Sequence, residues 1–210
     1  MRDLFFLSCG TMRVPKLAMS PGLGLGPMSI PLVVAVVVRD SGDVALIDCG
    51  WSEEACDGVA RVYGWTSTFY LGVRTLRADA IALQLSRAGI ERSRVKTIIA
   101  THLHLDHVGG AEDFPDAEIV CTDAELAAHR ARKSPGYHAR DLAKSRVRAV
   151  ALGGAPTYGF PASHDLFGDG EITLLDARGH TEGACAVALR GRSEAYVHLG
   201  DAVYQTWEHG

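Results

Sequence analysis

Three histidines and one aspartate fall within six positions, His102-Leu103-His104-Leu105-Asp106-His107. Imidazole nitrogen and carboxylate oxygen together suit zinc, with iron or manganese as alternatives, and the absence of a neighbouring cysteine argues against a thiolate-rich site. Spacing supports convergence. His102 and His104 lie two apart, so on extended backbone they point to one side, and Asp106 and His107 lie where the chain turns into Gly109-Gly110. Burying this many titratable groups without a common partner would be costly, so a two-metal hydrolytic centre is the expected use. A bound cation there lowers the pKa of water from ~15.7 toward ~7 and makes a nucleophile at neutral pH.

Such a cluster needs strands and turns to aim it. The β-branched run VKTIIA ends just before Thr101 and reads as the strand that delivers His102. Upstream, LFFLSCG, PLVVAVVV and DVALIDCG read as three strands, with Pro31 at a strand start and Ser41-Gly42-Asp43 as a hairpin turn. Residues 51–76 carry no clear period. Residues 78–88 place Ala78, Ile81, Ala82 and Leu85 at helical spacing, with Gly89 as the stop. A strand over 117–121 and a helix over 123–131, N-capped by Asp123, follow. Residues 132–164 are rich in Arg, Gly and Pro and read mainly as connection or lid, with a short helix over 141–147. Strands return at 172–175, 184–189 and 195–199.

The chain has 210 residues, 47% hydrophobic and 22% charged, which suits one α/β domain over residues 1–210 with a substantial core. Its formal charge of -4 argues against a partner held through phosphate charge, so nucleic acid is not expected. Five cysteines, odd in number and without a C-x-x-C pair, read as reduced, buried thiols of a cytoplasmic protein. The apolar run Leu4–Leu7 is shorter than the ~7–15 residues of a signal-peptide core. Leu32–Val38 is likewise far below the ~18 residues of a membrane span. His129, His138, His164 and His198 lack ligand spacing and read as hydrogen-bonded or surface residues. Arg130, Arg132, Lys133, Arg140, Lys144, Arg146 and Arg148 read as a solvated face or lid.

The H-x-H-x-D-H run resembles the signature of the metallo-β-lactamase superfamily. Gly179-His180-Thr181 after the EITLLD strand and Leu199-Gly200-Asp201 after another strand match its second and third motifs in order and spacing. The resemblance implies an αβ/βα sandwich of two sheets with outer helices. It assigns His102, His104 and His180 to one metal, Asp106 and His107 to a second, and Asp201 to a carboxylate bridging both, while Asp48 orients a ligand. Two zinc ions are the implied cofactor.

Within the superfamily, HDLFGDGEITLLDARGHTEG and Gly200-Asp201-Ala202-Val203-Tyr204 look most like the N-acyl-homoserine lactone lactonases. That likeness implies a small lactone or ester substrate whose carbonyl is attacked by a metal-held hydroxide. Tyr204 would contact the carbonyl oxygen, and Asp106 would orient the hydroxide and pass a proton to the leaving alkoxide. Ester, thioester, phosphodiester or β-lactam hydrolysis on the same centre stays open, as does metal binding without turnover. A homodimer also stays open. Arg178 and Glu182 stand where the family usually has prolines, which predicts a less rigid loop around His180. The family also places a further histidine tens of residues beyond the bridging aspartate. Here the sequence runs nine residues past Asp201, with His209 expected as a solvated tail residue, so the chain reads as C-terminally short and the second metal set as incomplete.

Overall fold

The run Val34–Val38 is apolar at every position because the strand that carries it is covered on both faces there. Val34, Val36 and Val38 pack into one core with helices, and Ala35 and Val37 into a second core between two sheets. The computed structural model describes residues 1–19, 24–65 and 72–203. Its strands in chain order are β1 (Asp3–Pro15), β2 (Pro27–Val38), β3 (Val44–Ile47), β4 (Val95–Ile99), β5 (Glu118–Thr122), β6 (Arg146–Val150), β7 (Ser163–Asp165), β8 (Ile172–Asp176), β9 (Cys185–Arg190) and β10 (Ala195–His198). β1 to β6 form one sheet in sequential order, antiparallel from β1 to β3 and parallel from β3 to β6. The second sheet is antiparallel in the order β10-β9-β8-β7.

The helices are α1 (Lys16–Met19), α2 (Glu53–Cys56), α3 (Val59–Tyr63), α4 (Ile81–Arg87), α5 (Leu105–Val108), α6 (Asp123–Arg130) and α7 (Ala139–Leu142), and those from α2 onward pack against the outer face of the first sheet. Between the sheets, Ile47, Ile99 and Val120 meet Ile172, Leu174, Val187 and Leu189, all fully buried. This is the expected sandwich of two sheets with outer helices.

Several expectations need correction. β1 runs past Gly10 to Pro15 and β2 begins at Pro27, the two pairing from Asp3↔Val38 to Pro15↔Pro27, so Pro31 lies inside β2 and not at its start. Proline has no N–H to give, and the register shifts between Ser8 and Thr11; Arg74 instead pairs with Thr11 through N–H···O contacts of 2.9 and 2.7 Å. The N-cap of α6 is Thr122, whose Oγ1 accepts the Glu125 N–H at 3.1 Å, and Asp123 is already helical. Residues 132–164 hold α7, β6 and β7, so the basic stretch ends as an edge strand, where charged side chains are usual. The helix expected over 141–147 is instead α7 followed by β6. Residues 51–65 supply α2 and α3. All five cysteines are buried free thiols, as expected.

Candidate metal centre

The alternation His-Leu-His-Leu works as a two-sided ribbon. Leu103 and Leu105 enter the helix-side core, which leaves His102 and His104 facing the opposite way. His104 is also the residue before α5, whose single turn then presents Asp106 and His107 while Leu105 and Val108 are buried beneath it. Close packing behind this turn requires glycine: a Cβ at Gly110 would lie 2.3 Å from the Cys49 carbonyl oxygen, and one at Gly109 would lie 2.6 Å from the Tyr63 hydroxyl. His180 arrives from the β8–β9 loop and Asp201 from a short 3-10 turn after β10. The first sheet thus contributes His102, His104, Asp106 and His107, and the second contributes His180 and Asp201.

Two overlapping sets of candidate ligands result among the described residues: His102, His104 and His180, and His102, His107 and Asp201, each with ligand atoms within 4.8 Å of one another. His104 Nδ1 lies 3.1 Å from His102 Nε2 and 3.2 Å from His180 Nε2. Asp201 stands between the sets, with Oδ1 3.4 Å from His107 Nε2 and Oδ2 3.5 Å from His180 Nε2 and 3.9 Å from His102 Nε2. Asp106 Oδ2 is 3.5 Å from His107 Nε2, so it borders the second set.

The outer nitrogens are held. Asp48 Oδ2 lies 2.8 Å from His107 Nδ1, and Asp48 also accepts the Thr101 N–H at 2.8 Å and its hydroxyl at 2.9 Å. Asp48 adopts φ 60° directly after β3, an uncommon backbone for a non-glycine residue, and this bend carries the carboxylate toward Thr101 and His107. Ser134 Oγ lies 2.7 Å from His104 Nε2, leaving Nδ1 for the centre. Sequence reasoning had not singled out Thr101 or Ser134. Thr101 was readable as the residue at the strand's end, whereas Ser134 sits in a segment without period and carried no signal.

Burial pushes His102 well below the usual imidazole range and His104 down to about 4, so both offer a free lone pair at neutral pH. His107 goes the other way. Burial alone would lower it, but the carboxylates of Asp48, Asp201 and Asp106 outweigh that and hold it well above the usual value. Burial would raise Asp201, yet the imidazoles of His107, His102 and His180 hold it well below the usual carboxylate range. His107 Nε2 is buried without a hydrogen-bond partner, although it faces two carboxylates. A divalent cation supplies what these atoms lack, a positive charge among carboxylates and a Lewis acid for neutral imidazole nitrogens. The donor set therefore fits a metal.

A cavity of about 520 Å³ opens over His104, Asp106, His107, His180 and Asp201, walled by Phe6, Met12, Val14, Ile30, Leu32 and Val197. Among the described residues lining it there is no lysine or arginine. His129 and His138 lie away from it, joined by a contact of 3.3 Å between His129 Nε2 and the His138 carbonyl oxygen. His198 lines the cavity and accepts the Gly200 N–H at 3.3 Å. Tyr204 and His209 lie outside the described residues.

Residues 31–207 match the metallo-beta-lactamase superfamily. The chain belongs to this superfamily. Members of the superfamily commonly bind divalent metals, in accord with the His/Asp cluster here. A probable metallo-hydrolase of Mycobacterium tuberculosis is 30% identical over 206 residues, covering 94% of this chain and 61% of the relative. An N-acyl homoserine lactonase of Agrobacterium fabrum is 26% identical over 215 residues, covering 98% of this chain and 78% of the relative. The chain thus spans about three-fifths to four-fifths of the length of these relatives. In fold, it resembles an N-acyl homoserine lactone hydrolase solved with N-hexanoyl-L-homoserine at its catalytic metal centre, with a TM-score of 0.74 at 20% identity over 92% of this chain and 73% of that one. A dizinc quorum-quenching lactonase superposes with a TM-score of 0.63 at 15% identity, over 95% of this chain and 71% of that one. No helix among the described residues is long and apolar enough to cross a membrane.

Proposed function

We propose that this chain carries the centre of a metal-dependent hydrolase that opens a lactone ring, with two zinc ions as its cofactor. The carrying observation is the pair of ligand sets sharing His102 at the floor of an apolar-walled cavity. His102, His104 and His180 would hold one ion and Asp106 and His107 the other, with Asp201, whose oxygens lie 3.4 Å from His107 Nε2 and 3.5 Å from His180 Nε2, as the carboxylate they would share. When bound, the metal supplies Lewis acidity and a water acidic enough to react near neutral pH.

The chain's own side chains do the rest. Asp106, buried and facing the cavity, can accept a proton from the attacking water and return it to the leaving alkoxide. Tyr204, three residues beyond Asp201, is proposed as the group that donates to the carbonyl oxygen. Apolar walls exclude water and favour a neutral substrate with a hydrocarbon portion. A phosphodiester finds no lysine or arginine among the described lining residues, which supports a neutral ester as the substrate class. Relatives named as N-acyl homoserine lactonases support the same choice.

The test is ring opening of a homoserine-lactone series by zinc-loaded protein, beside simple esters, thioesters and phosphodiesters. Lactone turnover that disappears in His104→Ala and exceeds the other classes is expected. Zinc-loaded protein that turns over another class faster, or turnover unchanged in the variant, overturns the reading.

A further inference from the structure

Glu125 is fully buried near the N-terminus of α6, at a distance in sequence from every candidate ligand. A Glu three residues after an N-cap threonine ordinarily turns back to the cap's own N–H. This one reaches across the fold instead. Its Oε1 accepts the Leu103 N–H at 2.8 Å and the Tyr137 hydroxyl at 2.9 Å. Its Oε2 accepts the Thr181 hydroxyl at 2.6 Å and the Gly183 N–H at 3.2 Å. Leu103 lies between His102 and His104, Thr181 follows His180, and the Tyr137 ring stands 5.0 Å from the His104 ring.

One carboxylate therefore grips both chain segments that supply the three-histidine set, one from each sheet. The grip is close. Thr122 Oγ1 donates to the Gly183 carbonyl at 2.7 Å, and a Cβ at Gly183 would fall 2.0 Å from the Glu125 nitrogen, so only glycine lets the β8–β9 loop sit here.

We propose that Glu125 is a positioning residue for the three-histidine metal site, setting the separation of His180 from His102 and His104 without touching the metal. This rests on the metal-centre reading above. The chemistry of the clamp makes it sensitive to one atom. Each carboxylate oxygen receives one backbone N–H and one hydroxyl. In Glu125→Gln the new amide NH₂ faces a backbone N–H whichever way it is turned; a hydroxyl can rotate to accept, but Leu103 or Gly183 N–H cannot. That clash loosens one ligand segment against the other, while Asp48 still holds His107.

The test measures zinc affinity by competition with a chromophoric chelator, and the absorption spectrum of the cobalt-substituted protein, in wild type, Glu125→Gln and Thr181→Val. Loss of about 10–100-fold in affinity at one of two equivalents is expected for Glu125→Gln, with a smaller loss for Thr181→Val, a changed cobalt spectrum and an unchanged far-UV circular dichroism spectrum. Wild-type affinity and spectrum in folded Glu125→Gln overturn the inference, as does equal weakening of both equivalents, the mark of a merely structural role. If Glu125→Gln does not fold, Thr181→Val decides, since it removes a single hydroxyl: weakened binding supports the inference and wild-type binding overturns it. Wild-type protein that takes up no zinc or cobalt overturns the metal-centre reading itself, and the inference with it.

Discussion

His107 illustrates how single residues are committed before any ligand arrives. Its Nδ1 is taken by Asp48 and its Nε2 is buried, facing two carboxylates without a hydrogen bond, so only one nitrogen is left for the centre. Asp48 serves two buried partners at once, Thr101 and His107. Asp48→Asn has an oxygen for only one of them. Zinc bound on the His107 side is expected to weaken about 10–100-fold while the three-histidine set keeps its affinity, read as a selective loss of one equivalent in a metal titration. Ser134→Ala is the converse case, freeing His104 Nε2 and weakening the other equivalent by a smaller factor. Undiminished binding of both ions in both variants would remove the argument that the outer nitrogens matter. His102, His104, Asp106 and His107 were legible because their types and spacing are rare together, and His180 and Asp201 only through the resemblance of their motifs to those of the superfamily. Thr101, Ser134 and Glu125 were not, since a threonine, a serine and a buried glutamate announce nothing until the fold brings their partners within reach.

At the scale of elements, strands with continuous β-branched runs and the helix α4 were legible because periodicity survives on well-buried elements. β6 was hidden by its charges: Arg148 pairs with Glu118 on the neighbouring strand at 2.8 Å, an edge-strand arrangement that composition alone mimics as a solvated loop. α7 was similarly short of signal, yet it bears Asp141, which is buried and accepts the Tyr63 hydroxyl at 2.7 Å from α3. Burial raises Asp141 to about 7, against the opposing effects of the Tyr63 hydrogen bond and the Arg140 charge. Its folded pKa lies above that of the unfolded chain, ~3.9, so the folded state binds more protons between the two values and stability falls as pH rises through that window. Above about 7 the loss is complete and constant. Asp141→Asn keeps an acceptor for Tyr63 and carries no charge. Relative to wild type it should gain about 2–3 kcal/mol between pH 5 and pH 8, measured by denaturant unfolding at both values. A stability difference independent of pH would show that Asp141 ionises freely in the folded protein.

Across the whole molecule, the centre sits where the two sheets meet, and its candidate ligands are divided between them. The sheets are otherwise joined by an apolar core in which Leu174 is fully buried among Ile172, Val187 and Leu189 on its own side and Ile47, Ile99 and Val120 on the other. Leu174→Ala leaves a cavity at that junction and should cost about 2–5 kcal/mol. Metal acts on the same junction by a different route. An ion held by His102 and His104 from one sheet and His180 from the other binds only when the sheets are docked, so at a hundredfold excess over its dissociation constant it stabilises the folded state by about 2.7 kcal/mol. Zinc should therefore recover much of the stability lost in Leu174→Ala, and adding His180→Ala should remove the share of that recovery that the three-histidine set supplies, because its remaining histidines lie on one sheet and only Asp201 still ties the sheets through the other set. Thermal unfolding with zinc and with chelator, for wild type and both variants, checks this. An equal zinc-induced shift with and without His180 would mean that the ion does not tie the sheets together through this residue.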